Sequence, residues 1–147
     1  MGLQKDASDI VRLLDEYAGD VMGRGKPLAS AAKARLIADL ARHPAALVYL
    51  AEILGEALGL AVCFVQYSTF GAFDLLNIHD FIVTAAARRR GVGRALLREI
   101  CQDAKQRGCQ KVTLEVRKDN EFAQRLYRSE AFGDCVPPML FWQRLLK

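Results

Sequence analysis

The sequence predicts an α+β fold of three layers (α/β/α), in which helices flank a mixed, mostly antiparallel sheet. Three observations predict it: two helical segments open the chain, three strand-like segments follow in succession, and helix and strand then alternate to the end. Successive strands joined by short turns pair antiparallel, whereas a strand reached through a crossover helix pairs parallel. With 147 residues, the chain has the length of one domain, and we expect residues 1–147 to form it.

The first half of the chain carries helical spacing and then strand composition. Residues 6–20 place apolar side chains at helical intervals, and a break at 23–27 rich in glycine and proline separates them from a second helical segment, 30–42. That helix ends at His43, because the residue before a proline avoids helical geometry. Three segments rich in β-branched and aromatic residues then predict strands at 47–52, 58–68 and 75–83.

The second half predicts two helices, each followed by a strand. Residues 91–106 have apolar side chains on one helical face, and Gly108 ends that helix. A short strand is expected at 112–116, and Asp119 or Asn120 caps a last helix that runs through Arg128. The remaining prediction is a closing strand at 139–146.

Composition excludes several classes of protein. Hydrophobic residues make up 52% and charged residues 26% of the chain, which is typical of a globular protein and not of a disordered one. No apolar run approaches the roughly 20 residues that span a bilayer, and the N-terminus lacks the apolar core of a signal peptide, so we expect a cytoplasmic protein without a membrane partner. Four scattered cysteines and two histidines predict reduced thiols and no metal site.

Positive charge is concentrated in the second half. Residues 88–128 contain twelve lysines and arginines against five aspartates and glutamates. Such an excess suits an anionic partner, either a nucleotide phosphate or a nucleic acid. Aromatic residues do not interleave with the arginines, which disfavours the nucleic acid.

The segment 81–97 is the most informative in the chain. A strand ends at Val83, and a turn that contains Gly91 and Gly93 then opens a long helix. Unpaired N–H groups of a first helical turn bind anions, and glycines let a ligand approach the backbone, so a pyrophosphate is the natural occupant. The segment matches neither the phosphate-binding loop of nucleoside triphosphatases nor the three-glycine dinucleotide motif. The simpler alternative is a glycine-softened helix start with solvated arginines.

Two motifs carry a family resemblance. Arg88-Arg89-Arg90-Gly91-Val92-Gly93 matches the signature Gln/Arg-x-x-Gly-x-Gly/Ala, and residues 120–132 are similar to Asn-x-x-Ala-x-x-Leu-Tyr-x-x-x-Gly-Phe. With both motifs in this order and at this spacing, the chain resembles the GNAT superfamily of acyl-CoA-dependent N-acetyltransferases over about residues 58–132. One departure is Ala131, which stands where the family has glycine.

The resemblance implies acetyl-CoA as co-substrate and a role for particular residues. The pantetheine arm would pair with the strand before the glycine turn, the pyrophosphate would lie on the amides of the turn, and Asn120 would contact the arm from the other side. Tyr127 takes the position that protonates the departing thiolate in many members. The implied acetyl-CoA-binding residues are Phe81, Ile82, Val83, Arg88, Arg89, Arg90, Gly91, Val92, Gly93, Arg94, Asn120 and Tyr127.

His79 is the residue that the resemblance implies as general base. Residues 78–83 resemble the Leu-Glu-Asp-Leu-Tyr-Val strand of polyamine-type acetyltransferases, in which the glutamate acts as base, often through water. An imidazole can do the same work near neutral pH. The alternative is a strand histidine that only forms hydrogen bonds, with Glu115 or an ordered water as base. Strand alternation predicts that Asp80 faces away from His79.

The function implied is transfer of an acetyl group from acetyl-CoA to a primary amine of a small molecule, by direct attack in a ternary complex. Two alternatives are a protein lysine or N-terminal acetyltransferase and a catalytically silent acyl-CoA-binding regulator. The resemblance also suggests a homodimer.

Overall fold

The computed structural model describes residues 2–146, and its elements follow the predicted order up to the last helix, apart from a short first helix and a 3-10 turn that were not predicted. The elements are α1 (Gly2–Lys5), α2 (Ala7–Gly19), α3 (Ser30–Arg42), β1 (Ala46–Ile53), β2 (Glu56–Ser68), β3 (Phe73–Val83), a 3-10 turn (Ala85–Ala87), α4 (Val92–Gln106), β4 (Val112–Leu114) and α5 (Glu121–Ser129). Each predicted helix of the sequence lies within about two residues of its observed bounds.

The four strands form one mixed sheet in the order β1-β2-β3-β4. The first three strands pair antiparallel through short turns, while β4 pairs parallel with β3 after the α4 crossover. Register within the parallel pair runs from Leu76 opposite Val112 to Ile78 opposite Leu114. The predicted mixed, mostly antiparallel sheet is confirmed.

Helices cover both faces of this sheet, each over its own apolar core. On one face α4 packs its buried side chains on β2 and β3, with Leu97 and Ile100 fully buried, and α5 adds Tyr127. On the other face α2 buries Ile10 and Leu13 against β2, and α3 packs at the margin of the same core. These two cores make the three layers that the helical and strand periodicities predict.

A β-bulge interrupts β3 where the functional residues begin. Val62 of β2 lies opposite Asp80, but the next residue, Cys63, lies opposite Ile78. His79 is therefore an extra residue without a partner on β2, and strand alternation is broken there.

The predicted closing strand is wrong: residues 139–146 form neither a strand nor a helix. Their large apolar side chains are exposed, from Leu140 at 74% to Leu146 at 89%. A strand exists only beside a partner strand, and the apolar pattern that predicts it says nothing about where that partner is. The fourth strand is also shorter than predicted, because its pairing with β3 ends at Leu114. Within residues 2–146, no helix has both the length and the apolar character needed to cross a membrane.

Candidate active site

The sheet splits open beyond the bulge. Pairing between β3 and β4 stops at Ile78, whereas β3 continues to Val83. The N–H of Thr84 donates to the Leu58 carbonyl at 2.9 Å, and Ile82 faces β2 in the same way because alternate residues share an edge. The main-chain groups of Phe81 and Val83 consequently face the gap. This open edge can accept one further extended chain. Phe81, Ile82 and Val83 were predicted to bind the pantetheine arm through their main chain. Of these three, Ile82 directs its main-chain groups to β2 and not to the gap.

The glycine turn places the free N–H groups at the start of α4 near the end of β3. Gly91 is the N-cap of α4 and has φ +80°, a left-handed conformation that glycine adopts without strain. Val92, Gly93 and Arg94 follow as the first helical turn, where N–H groups have no partner within the helix, and no acidic side chain lies there. The turn therefore presents unpaired backbone N–H groups at the positive end of the helix dipole, which are the features that the predicted anion site needs.

Gly93 has a packing role as well. A Cβ at this position would lie 3.1 Å from Leu126 Cδ2 and 3.3 Å from Val83 Cγ2. The missing side chain lets the start of α4 approach both α5 and the end of β3. The turn is thereby held beside the open edge.

The four predicted arginines differ in what they contact. Arg88 donates from Nε to the Val83 carbonyl at 3.3 Å and from Nη2 to Asp20 at 3.3 Å. It thus occupies a main-chain acceptor on the open edge of β3. Arg89 and Arg90 are exposed and form no ion pair within residues 2–146, so their charge is available to a ligand.

Arg94 binds residues at the C-terminal end of α5. Its Nε lies 3.1 Å from Glu130, which also binds Arg98 at 2.9 Å, and its Nη2 donates to Ser129 at 3.3 Å. Arg98, and to a lesser extent Arg94, hold the pKa of Glu130 below its ordinary value. These contacts fasten α4 to α5 across the site.

Glu16 is a site residue that the sequence reasoning missed. Its carboxylate accepts from the Thr84 hydroxyl at 2.9 and 3.0 Å and from the Ala85 N–H at 3.2 Å. Because these residues join β3 to the glycine turn, Glu16 fixes the turn to α2. No local signal marks it, since its partners lie 68 and 69 residues further along the chain.

Tyr127 lies on the α5 side of the gap. Its ring is 8% exposed and packs edge-on against Phe81 at 5.9 Å and beside Phe132 at 6.1 Å. The hydroxyl forms no hydrogen bond with residues 2–146. It still has access to solvent, because no side-chain oxygen or nitrogen of these residues is both inaccessible to solvent and without a hydrogen-bond partner. Burial, and secondarily the charge of Tyr17, raise the pKa of Tyr127 above its ordinary value. The hydroxyl therefore stays protonated and remains free to donate.

Tyr17 belongs to the core under α2 and α3, on the face opposite Tyr127, and it adds a small contribution to the raised pKa of Tyr127. The pKa of Tyr17 is itself raised, first by burial and then by the nearby Asp80 carboxylate. Sequence reasoning used Tyr17 only as an apolar helix position.

Asn120 is the N-cap of α5. Its side-chain oxygen accepts the Ala123 N–H at 3.1 Å, which confirms the predicted cap. With the oxygen engaged, the side-chain NH₂ is the group that Asn120 can offer to a ligand. At the other end of α5, Ala131 adopts φ +68°, in the left-handed region. The turn that the motif forms with glycine is therefore kept, although a left-handed conformation strains alanine.

His79 and Asp80 lie on the same side of the sheet, and the prediction from alternation is wrong. The exposed His79 ring stacks edge-on against Phe64 at 5.6 Å, and Phe64 packs in the core under α2 and α3. Asp80 faces Tyr17 of the same core. The bulge is the cause, because one extra residue turns His79 to the side of its neighbour. The structure thus places His79 and Tyr127 on opposite faces, with the gap between them. His43, the second histidine, ends α3 as predicted.

Asp80 is a half-buried carboxylate whose pKa is raised by burial, against a smaller lowering by His79. A folded-state pKa above the ordinary 3.8 means that ionisation of Asp80 costs stability as the pH rises through that folded-state pKa. A carboxylate such as Asp80, whose ionisation lowers the stability of the fold, is a candidate for binding a cation.

We expect Asp80→Asn to raise the Tm at pH 7, because the amide removes the cost of a buried charge. The gain should shrink as the pH falls from the raised folded-state pKa toward about 4, below which the carboxyl is neutral in both states. Thermal melts of both proteins from pH 3 to 8 measure this. Asp74→Asn, on an exposed strand position, is the matched control and should show no gain. An Asp80→Asn protein less stable than wild type at pH 7 contradicts the expectation.

Comparison with known proteins identifies the class to which this fold and site belong. Residues 10–133 match the model of the acetyltransferase (GNAT) family, and the chain belongs to that family. It is an acyltransferase, of a family that uses acetyl-CoA as co-substrate.

Individual relatives agree with this assignment. The chain is 28% identical over 135 residues to an uncharacterised N-acetyltransferase of Bacillus subtilis (strain 168), covering 88% of this chain and 85% of the relative. It superposes on a probable acetyltransferase with a TM-score of 0.86 at 19% identity, covering 97% and 94% of the two chains. An aminoglycoside acetyltransferase from an uncultured soil metagenomic sample, in complex with sisomicin, gives 0.81 at 17% identity over 98% and 92%.

Proposed function

We propose that the enzyme transfers the acetyl group of acetyl-CoA to a primary amine of a small molecule, by direct attack in a ternary complex. One observation carries the proposal. The split sheet brings the open edge of β3, the free N–H groups of α4 and the Tyr127 hydroxyl around a single gap. An extended amide-containing arm that ends in a pyrophosphate at one end and a thioester at the other requires these three features in this order.

The acyl donor would bind mainly through main-chain groups. Its pyrophosphate lies on the N–H groups of Val92 to Arg94, and Arg89 and Arg90 supply charge. Its arm pairs with the main chain of Phe81 and Val83, for which the Arg88 side chain must leave the Val83 carbonyl. The Asn120 side-chain NH₂ contacts the arm from the α5 side.

The reaction needs one proton removed and one supplied. The amine nitrogen attacks the thioester carbonyl carbon, the carbon–sulfur bond breaks, and the amine proton passes to a base. Tyr127 donates a hydrogen bond to the departing sulfur. Because its pKa is raised and that of a thiol is about 8.5, complete proton transfer from Tyr127 is uphill, so stabilisation of the developing thiolate is its main contribution.

We assign the base to His79, on the side from which the amine approaches. His79 directly follows the residue at which β3 and β4 separate, its exposed imidazole packs on Phe64, and Asp80 next to it offers a carboxylate to a cationic acceptor. Two further points support a small amine. Residues 78–83 resemble the polyamine-type strand, and a structural neighbour is an aminoglycoside acetyltransferase.

The test is release of free CoA thiol from acetyl-CoA with a panel of acceptors. Polyamines and aminoglycosides represent small amines, and lysine-containing and N-terminal peptides represent proteins. We expect turnover with small polyamines or aminoglycosides. Turnover with peptides alone, or binding of acetyl-CoA without turnover of any acceptor, contradicts the proposal.

For His79→Gln we expect kcat/KM to fall by a factor of about 10²–10⁴, the usual effect of removing a general base, and to lose the rise with pH that the base contributes. The acceptor amine also gains activity with pH as it deprotonates, so both proteins are compared with one acceptor whose titration is subtracted. His43→Gln is the matched control, because this residue ends α3 and accepts the Ala45 N–H at 3.3 Å. Identical profiles for wild type and His79→Gln exclude His79 as the base and direct attention to Glu115 or an ordered water.

We also propose that the enzyme is a homodimer. The exposed apolar residues after α5 support this proposal.

A further inference from the structure

The loop between α2 and α3, residues 20–29, folds back on the end of α2. The N–H groups of Arg24 and Lys26 both donate to the Ala18 carbonyl, at 3.1 and 3.0 Å. These bonds hold the loop against the helix, so its remaining contacts decide which part of the site it reaches.

The first residue of the loop is bound to the end of β3. Asp20 accepts from Arg88 Nη2 at 3.3 Å, and Arg88 Nε donates to the Val83 carbonyl at 3.3 Å. The Asp20 carboxylate also accepts the Met22 N–H at 2.9 Å, which ties it to the loop itself. The start of the loop is thus fixed beside the last residue of β3.

The next residues of the loop are bound to the segment after β4. Arg117, the third residue after that strand, donates from Nη1 to the main-chain carbonyls of Val21 and Gly23, at 3.1 and 3.2 Å. Asp119 orients the guanidinium, because it accepts from Nε at 2.9 Å and from Nη2 at 2.7 Å. A planar guanidinium suits this double role, since Nη1 stays free for the loop while the other two nitrogens bind a carboxylate.

Residues 20–23 consequently lie across the gap in the sheet. The two strands separate after Ile78 of β3 and Leu114 of β4. The attachments of the loop come beyond that point, one at Val83 and the other at Arg117. The loop therefore joins the two sides of the gap.

The loop lies on the face of the sheet that carries His79 and Asp80. Helix α2, which the loop continues, packs on that face, and Tyr17 in its last turn belongs to the core there. Burial raises the pKa of Tyr17, the Asp80 carboxylate adds to this rise, and Arg117 opposes it. The loop and Arg117 thus border the side of the gap on which the two candidate acceptor-binding residues lie.

We propose that Arg117 is a positioning residue for the acceptor amine, because it holds residues 20–23 across the gap. The inference rests on the proposed function, in which the amine approaches from the side of His79. A loop fixed on both sides of the gap restricts the space above it. Such a space admits a small amine more easily than a lysine side chain on the surface of a protein.

Arg117 differs from Arg88 in its dependence on the donor. In the proposed donor complex the Arg88 side chain leaves the Val83 carbonyl, so the link between the loop and β3 weakens when acetyl-CoA binds. The partners of Arg117 lie in the loop and at Asp119, outside the proposed donor contacts. Arg117 therefore fixes the loop in the donor complex, which is the form that the acceptor meets.

Trypsin cleavage after Arg24 measures how firmly the loop is held. It is the only bond of the loop that trypsin accepts, since Lys26 precedes a proline. For Arg117→Ala we expect this cleavage to be about tenfold faster, because the loop loses two hydrogen bonds and cleavage follows the population of its open form. The fold should be retained, since an exposed ion pair such as Arg117–Asp119 adds little stability.

Arg107→Ala is the matched control. Arg107 is 47% exposed, against 48% for Arg117, and has an equally short ion pair, 2.8 Å to Asp103, but this partner is on α4. Cleavage after Arg24 should be unchanged in Arg107→Ala.

A binding readout is the protection of Arg24 by the acceptor. A small polyamine added together with CoA should slow cleavage after Arg24 in the wild type, with the other cleavage sites of the same digest as reference. The same polyamine should give no protection in Arg117→Ala, because the displaced loop no longer borders the acceptor.

Steady-state kinetics separate the acceptor from the donor. Arg117→Ala should lower kcat/KM for the small amine at least about tenfold, mainly through KM, as a displacement of about 1 Å at a bound group does. The Tm shift with acetyl-CoA should stay unchanged, and so should kcat/KM for a lysine-containing peptide. Arg117→Lys should behave like Arg117→Ala, because a compact ammonium cannot replace the planar guanidinium.

Three results overturn the proposal. They are an unchanged rate of cleavage after Arg24 in Arg117→Ala, wild-type kinetics in Arg117→Lys (charge alone is then sufficient), and an equal loss for small amines, peptides and acetyl-CoA (the effect is then a general one on the fold). Protection of Arg24 by the polyamine without turnover contradicts the proposed acetyl transfer but keeps the role of Arg117. Turnover of small amines with neither protection nor a kinetic effect of Arg117→Ala contradicts the role of Arg117 alone.

Discussion

Replacement of Tyr127 by phenylalanine is expected to lower kcat by a factor of about 10²–10³, the usual effect of removing one hydrogen-bond donor that stabilises developing negative charge. The affinity for acetyl-CoA should be unchanged, because the contacts proposed for the donor are mainly main-chain groups of β3 and α4. Folding should also be unchanged, since the ring keeps its packing on Phe81 and Phe132 and the hydroxyl forms no hydrogen bond within residues 2–146. Steady-state kinetics and a binding titration measure the two effects separately.

Tyr49→Phe is the matched control for this prediction. Tyr49 is a half-buried tyrosine whose hydroxyl donates to Asp103 on α4 and does not face the gap. Its loss should cost about 1 kcal/mol of stability with kcat unchanged. Wild-type turnover in Tyr127→Phe would show that water stabilises the thiolate and that Tyr127 is structural.

Replacement of Gly91 or Gly93 by valine is expected to abolish stabilisation by acetyl-CoA. A ligand that binds only the native state at a hundredfold excess over Kd adds about 2.7 kcal/mol to the free energy of unfolding. A side chain on Gly91 strains the left-handed turn, and one on Gly93 presses on Leu126 and Val83, so each is expected to displace the N–H groups proposed to bind the pyrophosphate. Thermal melts with and without acetyl-CoA give the ligand-induced shift in Tm for each variant.

Gly91→Val and Gly93→Val are also expected to lower the Tm in the absence of acetyl-CoA. The control variant must therefore show a similar loss of stability. Gly91 has φ +80°, which strains any L-residue, and Gly93 lacks room for a Cβ beside Leu126. Gly108 has φ +86° with open space around it, about 25 Å further along α4. Gly108→Val should therefore lower the Tm as Gly91→Val does, but keep the full shift with acetyl-CoA. An undiminished shift in Gly91→Val and Gly93→Val contradicts the proposed binding site.

The layers of the fold and the glycine turn were predicted from local features of the sequence. Helix and strand periodicities are local, and the apolar faces they create leave few ways to cover one sheet. The glycine turn is local too, because Gly91 and the N–H groups after it lie within one turn of chain. For the same reason the α5 cap at Asn120 was predicted.

The arrangement of the candidate site depends on contacts between elements that are far apart in the chain. The bulge at His79 depends on the register between β2 and β3, and a register cannot be read from either strand alone. Glu16 and Arg88 act through partners on other elements. The C-terminal segment shows the same limit: its strand pattern is local, but a strand needs a neighbouring strand to pair with, and residues 139–146 form no strand.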